Sequence, residues 1–428
     1  MIPWVGISAV LAAAEPLALS EAVAEALEKN EVPELADAQV VQARAARRRA
    51  LAAWFPTADL SASYTRRARE ARPNGAVLQA NDAFGGLLLV QSRLFDATQI
   101  TDLSAAGARL DAQRASAAAT DRAFVFEVAD AFFLVLAAEG TAQAAAQRLE
   151  LAEQVESDTK ERVRAGLAST NDRSRVELET ASARLAATQA DNALNQARLS
   201  LGFLLARPVR EPLAPSGALV VQDPGAESLY RQAVEARPDL EALRRQLVAR
   251  RQDALEPWLR LVPFIDAAGR FTLTNETGFV GEEFNWNLSL TATWNLYDGG
   301  VRYADARDQA ARRRAAELEL ARLERTTRLE IEQARTDRVT AVAALAQAEQ
   351  RLRVAELNYE EVQARYRSGL STSLEQADAS VQLFEARVAL AAARFDNRLA
   401  ELALLEATGA PLPVGGPAEQ ATTPSSSD

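Results

Sequence analysis

The sequence predicts a mainly α-helical chain with membrane-length β-strands, built twice over. Three observations predict this fold. Residues 87–206 and 289–409 carry one pattern, offset by 202 to 203 positions. Leu94-Phe95-Asp96 recurs as Leu296-Tyr297-Asp298, and Arg164-Ala165-Gly166-Leu167 recurs as Arg367-Ser368-Gly369-Leu370. Second, the run from Ala304 to Tyr366 contains neither Pro nor Gly, which as a helix would span roughly 90 Å. Third, short segments ahead of each long run alternate apolar and polar residues, the period-two signature of a strand.

Composition removes whole classes of chemistry. The chain of 428 residues has no Cys, no His and one Met. Disulfides, thiol nucleophiles, zinc fingers, imidazole bases and imidazole metal sites are excluded together. Neither a Gly-x-Ser-x-Gly elbow, a phosphate-binding Gly loop nor a dinucleotide fingerprint is present, so no enzyme and no cofactor is expected. The net charge of −11 argues against nucleic acid, which needs concentrated positive charge. No run of 18 apolar residues exists, so no transmembrane helix is expected. Residues 1–14 are apolar, end in Ala12-Ala13-Ala14, and read as a possible signal peptide.

The first repeat is expected over 15–206. It opens with a helix from Leu19 to Ala53, broken near Pro33. A strand follows at 57–65, with Ala58, Leu60, Ala62 and Tyr64 on one face and Asp59, Ser61 and Ser63 on the other. After a polar loop at 66–83 comes a second strand, 84–95, whose Leu87-Leu88-Leu89 run blurs the alternation. A helical hairpin then turns near 166. Residues 207–227, with four Pro and two Gly, read as a linker.

The second repeat, 228–409, restates this with sharper patterning. Strands are expected at 264–274 and 285–296. In the latter, Trp286, Leu288, Leu290, Ala292, Trp294 and Leu296 face one side, and Asn285, Asn287, Ser289, Thr291, Thr293 and Asn295 the other. Trp286 and Trp294 lie eight residues apart, roughly 26 Å along a strand. That suits an aromatic girdle at the two interfaces of a membrane barrel; surface-covering Trp on a sandwich strand would read the same way. The following hairpin turns near 369. Its first helix repeats apolar residues at 3-4 spacing through Leu345, Ala348, Leu352, Ala355, Tyr359 and Val362. Its second does so through Leu374, Ala377, Val381, Phe384, Val388, Ala391 and Phe395, which predicts coiled-coil packing. Residues 410–428, rich in Pro, Gly, Ser and Thr, read as a disordered tail.

Four strands cannot close a barrel, and open strand edges are not tolerated in hydrocarbon. At least two chains must pool their strands. Eight strands leave an interior filled by side chains, whereas three chains would give about 12 strands and a hollow barrel. The small, polar inward face suits water.

With these parts in place, the chain resembles the TolC-like outer membrane efflux protein family over essentially its whole length. Leu19-Ser20-Glu21-Ala22, the duplicated Pro33-Glu34-Leu35 and Pro238-Asp239-Leu240, Phe55-Pro56, Leu296-Tyr297-Asp298-Gly299-Gly300 and the two Gly-Leu tips carry the resemblance. It departs at Asp96-Ala97-Thr98, where the family favours Gly-Gly after Asp. The resemblance implies a homotrimer in the outer membrane of a Gram-negative cell, with a 12-stranded barrel continued by an α-helical periplasmic tunnel. It implies partnership with a periplasmic adaptor and an inner-membrane transporter of RND or ABC type, for efflux or type I secretion.

The hairpin tips carry the candidate site. Thr372 with Glu375 fits a capping box, and Ser169 with Asp172 approximates one. Asp378 lies past the first turn and shares a face with Glu375. By resemblance, Glu375 and Asp378 match acidic rings at the periplasmic entrance, and Asp172 matches the network that closes it. The basic partner in that network falls at Ser371. Gly166, Leu167, Gly369 and Leu370 are expected adaptor-docking turns, or simple helix reversals. The rival reading is a periplasmic adaptor or structural coiled-coil protein. An adaptor would carry one hairpin between compact β domains.

Overall fold

The computed structural model describes residues 16–215, 223–279 and 281–411. The expected signal peptide at 1–14, residues 216–222 of the expected linker and residues 412–428 of the tail lie outside them. The order is α1 (Leu19–Lys29), α2 (Glu31–Ala52), β1 (Thr57–Arg66), β2 (Asp82–Phe95), α3 (Ala97–Arg164) and α4 (Thr170–Leu204). The repeat then gives α5 (Ala226–Ala236), α6 (Pro238–Asp253), α7 (Glu256–Leu259), β3 (Phe264–Thr274), β4 (Phe284–Thr293), α8 (Val301–Arg367) and α9 (Ser373–Thr408). The long helices α3 and α8 have 68 and 67 residues, each about 100 Å. Among the described residues, no helix is long and apolar enough to cross a membrane.

The chain divides into two compact units, and each takes pieces from both repeats. One comprises the described residues of Met1–Leu35, Ala119–Arg237 and Arg325–Asp428; the other comprises Ala36–Ala118 and Pro238–Glu324.

The second unit holds the sheet. Its order is β1-β2-β3-β4, every pair antiparallel. Directly paired residues share a face, so register decides what each face presents. Ala58 pairs with Val90, Val90 with Gly269 and Gly269 with Leu288; Leu60 pairs with Leu88, Leu88 with Phe271 and Phe271 with Trp286. One face is therefore apolar across all four strands. The other carries Ser61, Ser63, Thr272, Asn287 and Ser289, with Leu87 and Leu89 as exceptions. Around the sheet, Arg109 binds Asp253 at 2.6 Å and Arg260 binds Asp305 at 2.6 Å, which fasten α3 to α6 and α7 to α8.

The first unit has a conventional core. Phe124, Phe126, Val128, Phe132 and Val135 of α3 pack with Val23, Leu201, Leu205, Leu402 and Leu405. Part of the expected linker belongs to it. Val209 and Leu213 are buried, and the Leu17 N–H donates to the Pro212 carbonyl at 2.9 Å. Arg122 closes the end of α9 by donating to the Leu405 and Gly409 carbonyls at 2.7 and 3.0 Å.

Four expectations need correction. The N-terminal helix breaks at Asn30, not Pro33. A proline in a first turn costs nothing, because that N–H has no intrahelical partner. Asn30 makes the break: its Oδ1 accepts from the Val32 N–H at 3.0 Å, and its Nδ2 donates to the Leu204 carbonyl at 3.0 Å. Strand β2 starts at Asp82, two residues early. Strand β4 ends at Thr293, so Trp294 and Leu296 lie beyond it. The α9 seam is shifted as well. Its most buried face is Gln376, Ala379, Leu383, Ala386, Leu390 and Ala393, because small residues allow close helix approach. The larger Phe384 and Phe395 flank it, with the Arg148 guanidinium 5.0 Å above the Phe384 ring.

Asn30→Ala removes a helix cap and leaves a buried carbonyl unpaired. We expect it to cost about 1–2 kcal/mol, read as a lower midpoint in thermal unfolding of the detergent-solubilised protein.

Candidate functional site: the hairpin tips and the open sheet

The two tips are built alike. Helix α3 ends on Gly166 at φ 72° and α8 on Gly369 at φ 76°, a left-handed backbone that glycine adopts without strain. The Gly166 N–H donates to Val163 at 3.0 Å and the Leu167 N–H to Arg162 at 2.8 Å; Gly369 donates to Tyr366 at 3.0 Å and Leu370 to Arg365 at 2.8 Å. Each is a Schellman motif, which consumes the last carbonyls of its helix. The leucines that follow stay out of the core: Leu167 is 75% exposed and Leu370 74%.

The next helices start with reciprocal caps. Ser169 Oγ accepts from the Asp172 N–H at 3.1 Å, while Asp172 Oδ2 accepts from the Ser169 N–H at 3.0 Å and from its hydroxyl at 2.8 Å. Thr372 Oγ1 accepts from the Glu375 N–H at 3.2 Å, and Glu375 Oε2 accepts from the Thr372 N–H at 2.8 Å. The Ser371 hydroxyl also donates to Glu375. These donors hold both carboxyls below their ordinary range. For Asp172 the Ser169 hydroxyl is the largest cause, and for Glu375 the Ser371 hydroxyl is.

The structure brings Asp172 to the second tip, where Ser373 Oγ donates to Asp172 Oδ1 at 3.4 Å. It leaves Asp378 exposed on α9. Helical spacing predicted the caps, but no sequence signal pointed to the Ser373–Asp172 contact, which joins residues 201 positions apart.

The sheet is the other half of the site. Its apolar face is open: Leu60 is 80% exposed, Leu288 76% and Leu290 70%. In water each such side chain would forgo about 1.5–3 kcal/mol of burial. Aromatic rings gather at both ends of this face. At the loop end, Tyr64 and Phe84 lie 5.0 Å apart, and the Tyr64 hydroxyl donates to Asp82 at 2.7 Å. Trp286 pairs with Phe271 on the same face, in the rung that also holds Leu60 and Leu88. At the helix end, the Trp294 indole N–H donates to the Leu261 carbonyl at 2.8 Å, and Trp258 meets Tyr303 edge-on at 6.0 Å. The aromatic bands are thus assembled from several segments, not one strand. Rings with one polar handle at each end of an apolar band suit the two interfaces of a bilayer.

Among the described residues, both outer strands, β1 and β4, have one unpaired edge. At the loop end the hairpins are tied together: Glu276 accepts from the Ala80 N–H at 2.9 Å and pairs with Arg67, and the Asn275 amide donates to the Asp82 carbonyl at 2.7 Å.

Comparison with known proteins fits this geometry. The family model for outer membrane efflux proteins matches twice, over residues 22–207 and 229–410. No curated protein matches the chain significantly. Among solved structures, the chain is similar to the CmeC outer membrane channel of Campylobacter jejuni (17% identity, 91% of this chain and 85% of that one, TM-score 0.80). It is similar to the open state of the MtrE outer membrane channel of Neisseria gonorrhoeae (20% identity, 92% and 89%, TM-score 0.77). It also resembles the outer membrane protein VceC of Vibrio cholerae (19% identity, 92% and 96%, TM-score 0.77). At these identities the likeness shows the fold.

Because both capping carboxyls have lowered pKa values, their contribution is complete above the ordinary values of 4.5 and 3.8 and is lost as pH falls through the lower folded values. Ser169→Ala and Thr372→Ala each remove a cap, at a cost of about 1 kcal/mol. We expect faster amide hydrogen exchange at Asp172 and Glu375 in the respective variants, with the other tip unchanged.

Proposed function

Because the chain belongs to the outer membrane efflux protein family, we propose that three copies form the passive exit duct of a tripartite efflux or type I secretion system. Cargo would arrive from an inner-membrane transporter of RND or ABC type through a periplasmic adaptor. The observation that carries this reading is the open four-stranded sheet, apolar on one face and polar on the other, with an unsatisfied edge on each side. In hydrocarbon such a sheet must close on further copies. Three copies of four strands give about 12, enough for a wet interior.

The helices then extend into the periplasm, because no described helix suits lipid and the sheet sends all its helical connections to one end. Gly166 lies 71 residues after the end of β2 at Phe95, and Gly369 lies 76 after the end of β4 at Thr293. Exposed Leu167 and Leu370, presented by Gly166 and Gly369, are suited to adaptor docking. Glu375, Asp378 and Asp172 would line the periplasmic constriction. Their roles differ: Glu375 and Asp172 are engaged by backbone donors at helix starts, whereas Asp378 is open to ions. Three copies of Asp378 around one axis would make a ring of like charge that favours cations.

Single-channel recording in a planar bilayer tests this. Asp378→Asn is expected to lower cation selectivity with the helix start intact, and Glu375→Gln to alter conductance through a loosened tip. Unchanged selectivity and conductance in both variants would remove the constriction role. The protein is also expected to stay with the outer-membrane fraction after alkaline carbonate; release into the supernatant would overturn the duct.

A further inference from the structure

Resting on the reading that copies close edge to edge in the membrane, we propose a single register for the seam. β1 of one copy pairs antiparallel with β4 of the next, Thr57 opposite Thr293 and Arg66 opposite Phe284.

The edges themselves define the choice. The Arg67 N–H donates to the Asn81 carbonyl at 2.7 Å, in line with the β1–β2 ladder. Odd-numbered residues of β1 therefore point their backbone groups at β2, and even-numbered ones point theirs at the free edge. On both outer strands the even residues also carry the apolar face: Leu60, Ala62 and Tyr64 on β1, and Trp286, Leu288 and Leu290 on β4. A seam that keeps one face apolar must pair even with even. Register can then change only in steps of two residues.

Strand extent and tilt select among those steps. β1 and β4 each have 10 residues. Only the proposed register pairs all of them, and every edge group left unpaired in hydrocarbon is costly. The ladders within the chain carry Ala58 to Val90, Gly269 and Leu288, and the proposed seam carries Leu288 on to Ala62 of the next copy. Each copy of four strands thus advances by four residues. One residue of stagger per strand, at a rise of about 3.3 Å and a spacing of about 4.8 Å, tilts the strands by about 35°. The neighbouring registers would give about 19° or about 46° and leave two residues unpaired at the ends of each strand. Membrane barrels lie at about 35–45°, which excludes the register at about 19°; the one at about 46° is excluded by the edge groups it leaves unpaired.

The side chains agree across the seam. Tyr64 meets Trp286, continuing the aromatic band of the loop end, and Leu60 meets Leu290. On the polar face Ser61 meets Ser289, Ser63 meets Asn287 and Asp59 meets Thr291.

The chain has no cysteine, so a disulfide scan reads the register directly. Odd residues face each other in non-hydrogen-bonded pairs, with Cα atoms about 4.5 Å apart, within disulfide reach. A pair displaced by two residues is about 7–8 Å apart, beyond it. Full-length protein carrying Ser61→Cys with Ser289→Cys should form covalent oligomers on oxidation at least ~10-fold more than Ser63→Cys/Ser289→Cys or Asp59→Cys/Ser289→Cys. Preferential linkage in either displaced pair, or in none of the three, would overturn the register. Light scattering in detergent counts the copies separately. A mass other than three with the Ser61–Ser289 link intact would overturn the trimer and leave the seam standing. Three copies without that link would do the reverse.

Discussion

Everything in this molecule depends on two rows of backbone amides and carbonyls, one along the outer edge of β1 and one along the outer edge of β4. In water they would be hydrated at little cost. Beside a face as apolar as Leu60, Leu288 and Leu290 they have no water to turn to, because the solvent that suits those side chains cannot hydrogen-bond. The chain cannot satisfy both requirements alone. A second copy supplies what each edge lacks, and only a closed ring leaves no edge over. The hole is then a by-product of hydrogen bonding. Its wall is already polar, because the alternation that greases one face of each strand wets the other.

The helical hairpins solve a related problem at their own ends. A helix reversal strands four carbonyls and four N–H groups. Here both reversals use one recipe: a left-handed glycine consumes the carbonyls, and a hydroxyl–carboxylate box consumes the N–H groups. Duplication has preserved the recipe while changing its parts. Asp172 is short and its second oxygen reaches Ser373 on the other hairpin. Glu375 is longer and folds back onto Ser371 and Thr372. The equivalent acid is therefore a local cap in both repeats and, in the first, also a link between hairpins.

Much of this was legible in the sequence, and the failures have physical causes. The strands were visible where one face meets lipid and the other water, most clearly in β4. They blurred in β2, where Leu87 and Leu89 put apolar groups on the polar face. The duplicated tips were visible because Gly-Leu and the caps are local. Three features were not legible. Pro33 looked like a breaker, yet a first turn has no hydrogen bond for it to break, and Asn30 ends the helix through a partner 174 residues away. Trp294 continues the apolar alternation but sits past the strand, held by the Leu261 carbonyl. The α9 seam runs through Ala379 and Ala386 because close packing rewards small residues, whereas periodicity of large ones pointed to its flank. For Asp172 and Glu375, spacing pointed to capping and the family resemblance to a charged constriction; both acids cap their helices, and Asp378 is the acid that capping does not explain.

The number of copies is a separate question from the seam, since the tilt set by one residue of stagger per strand does not depend on how many strands the ring contains. What the number sets is width. At about 35° of tilt, eight strands spaced by about 4.8 Å enclose a backbone diameter of about 15 Å, and twelve about 22 Å. Inward side chains take up about 4–5 Å from each wall. By the same subtraction eight strands leave only about 5–7 Å between facing residues such as Asn285, Asn287, Ser61 and Ser63, little more than a single file of water. Twelve leave about 12 Å of water between them, and each polar group is then satisfied where it stands. Asparagine, serine and threonine facing inward are poor residues for a core and good ones for a wetted wall, so the same alternation that demands closure also argues for three copies over two.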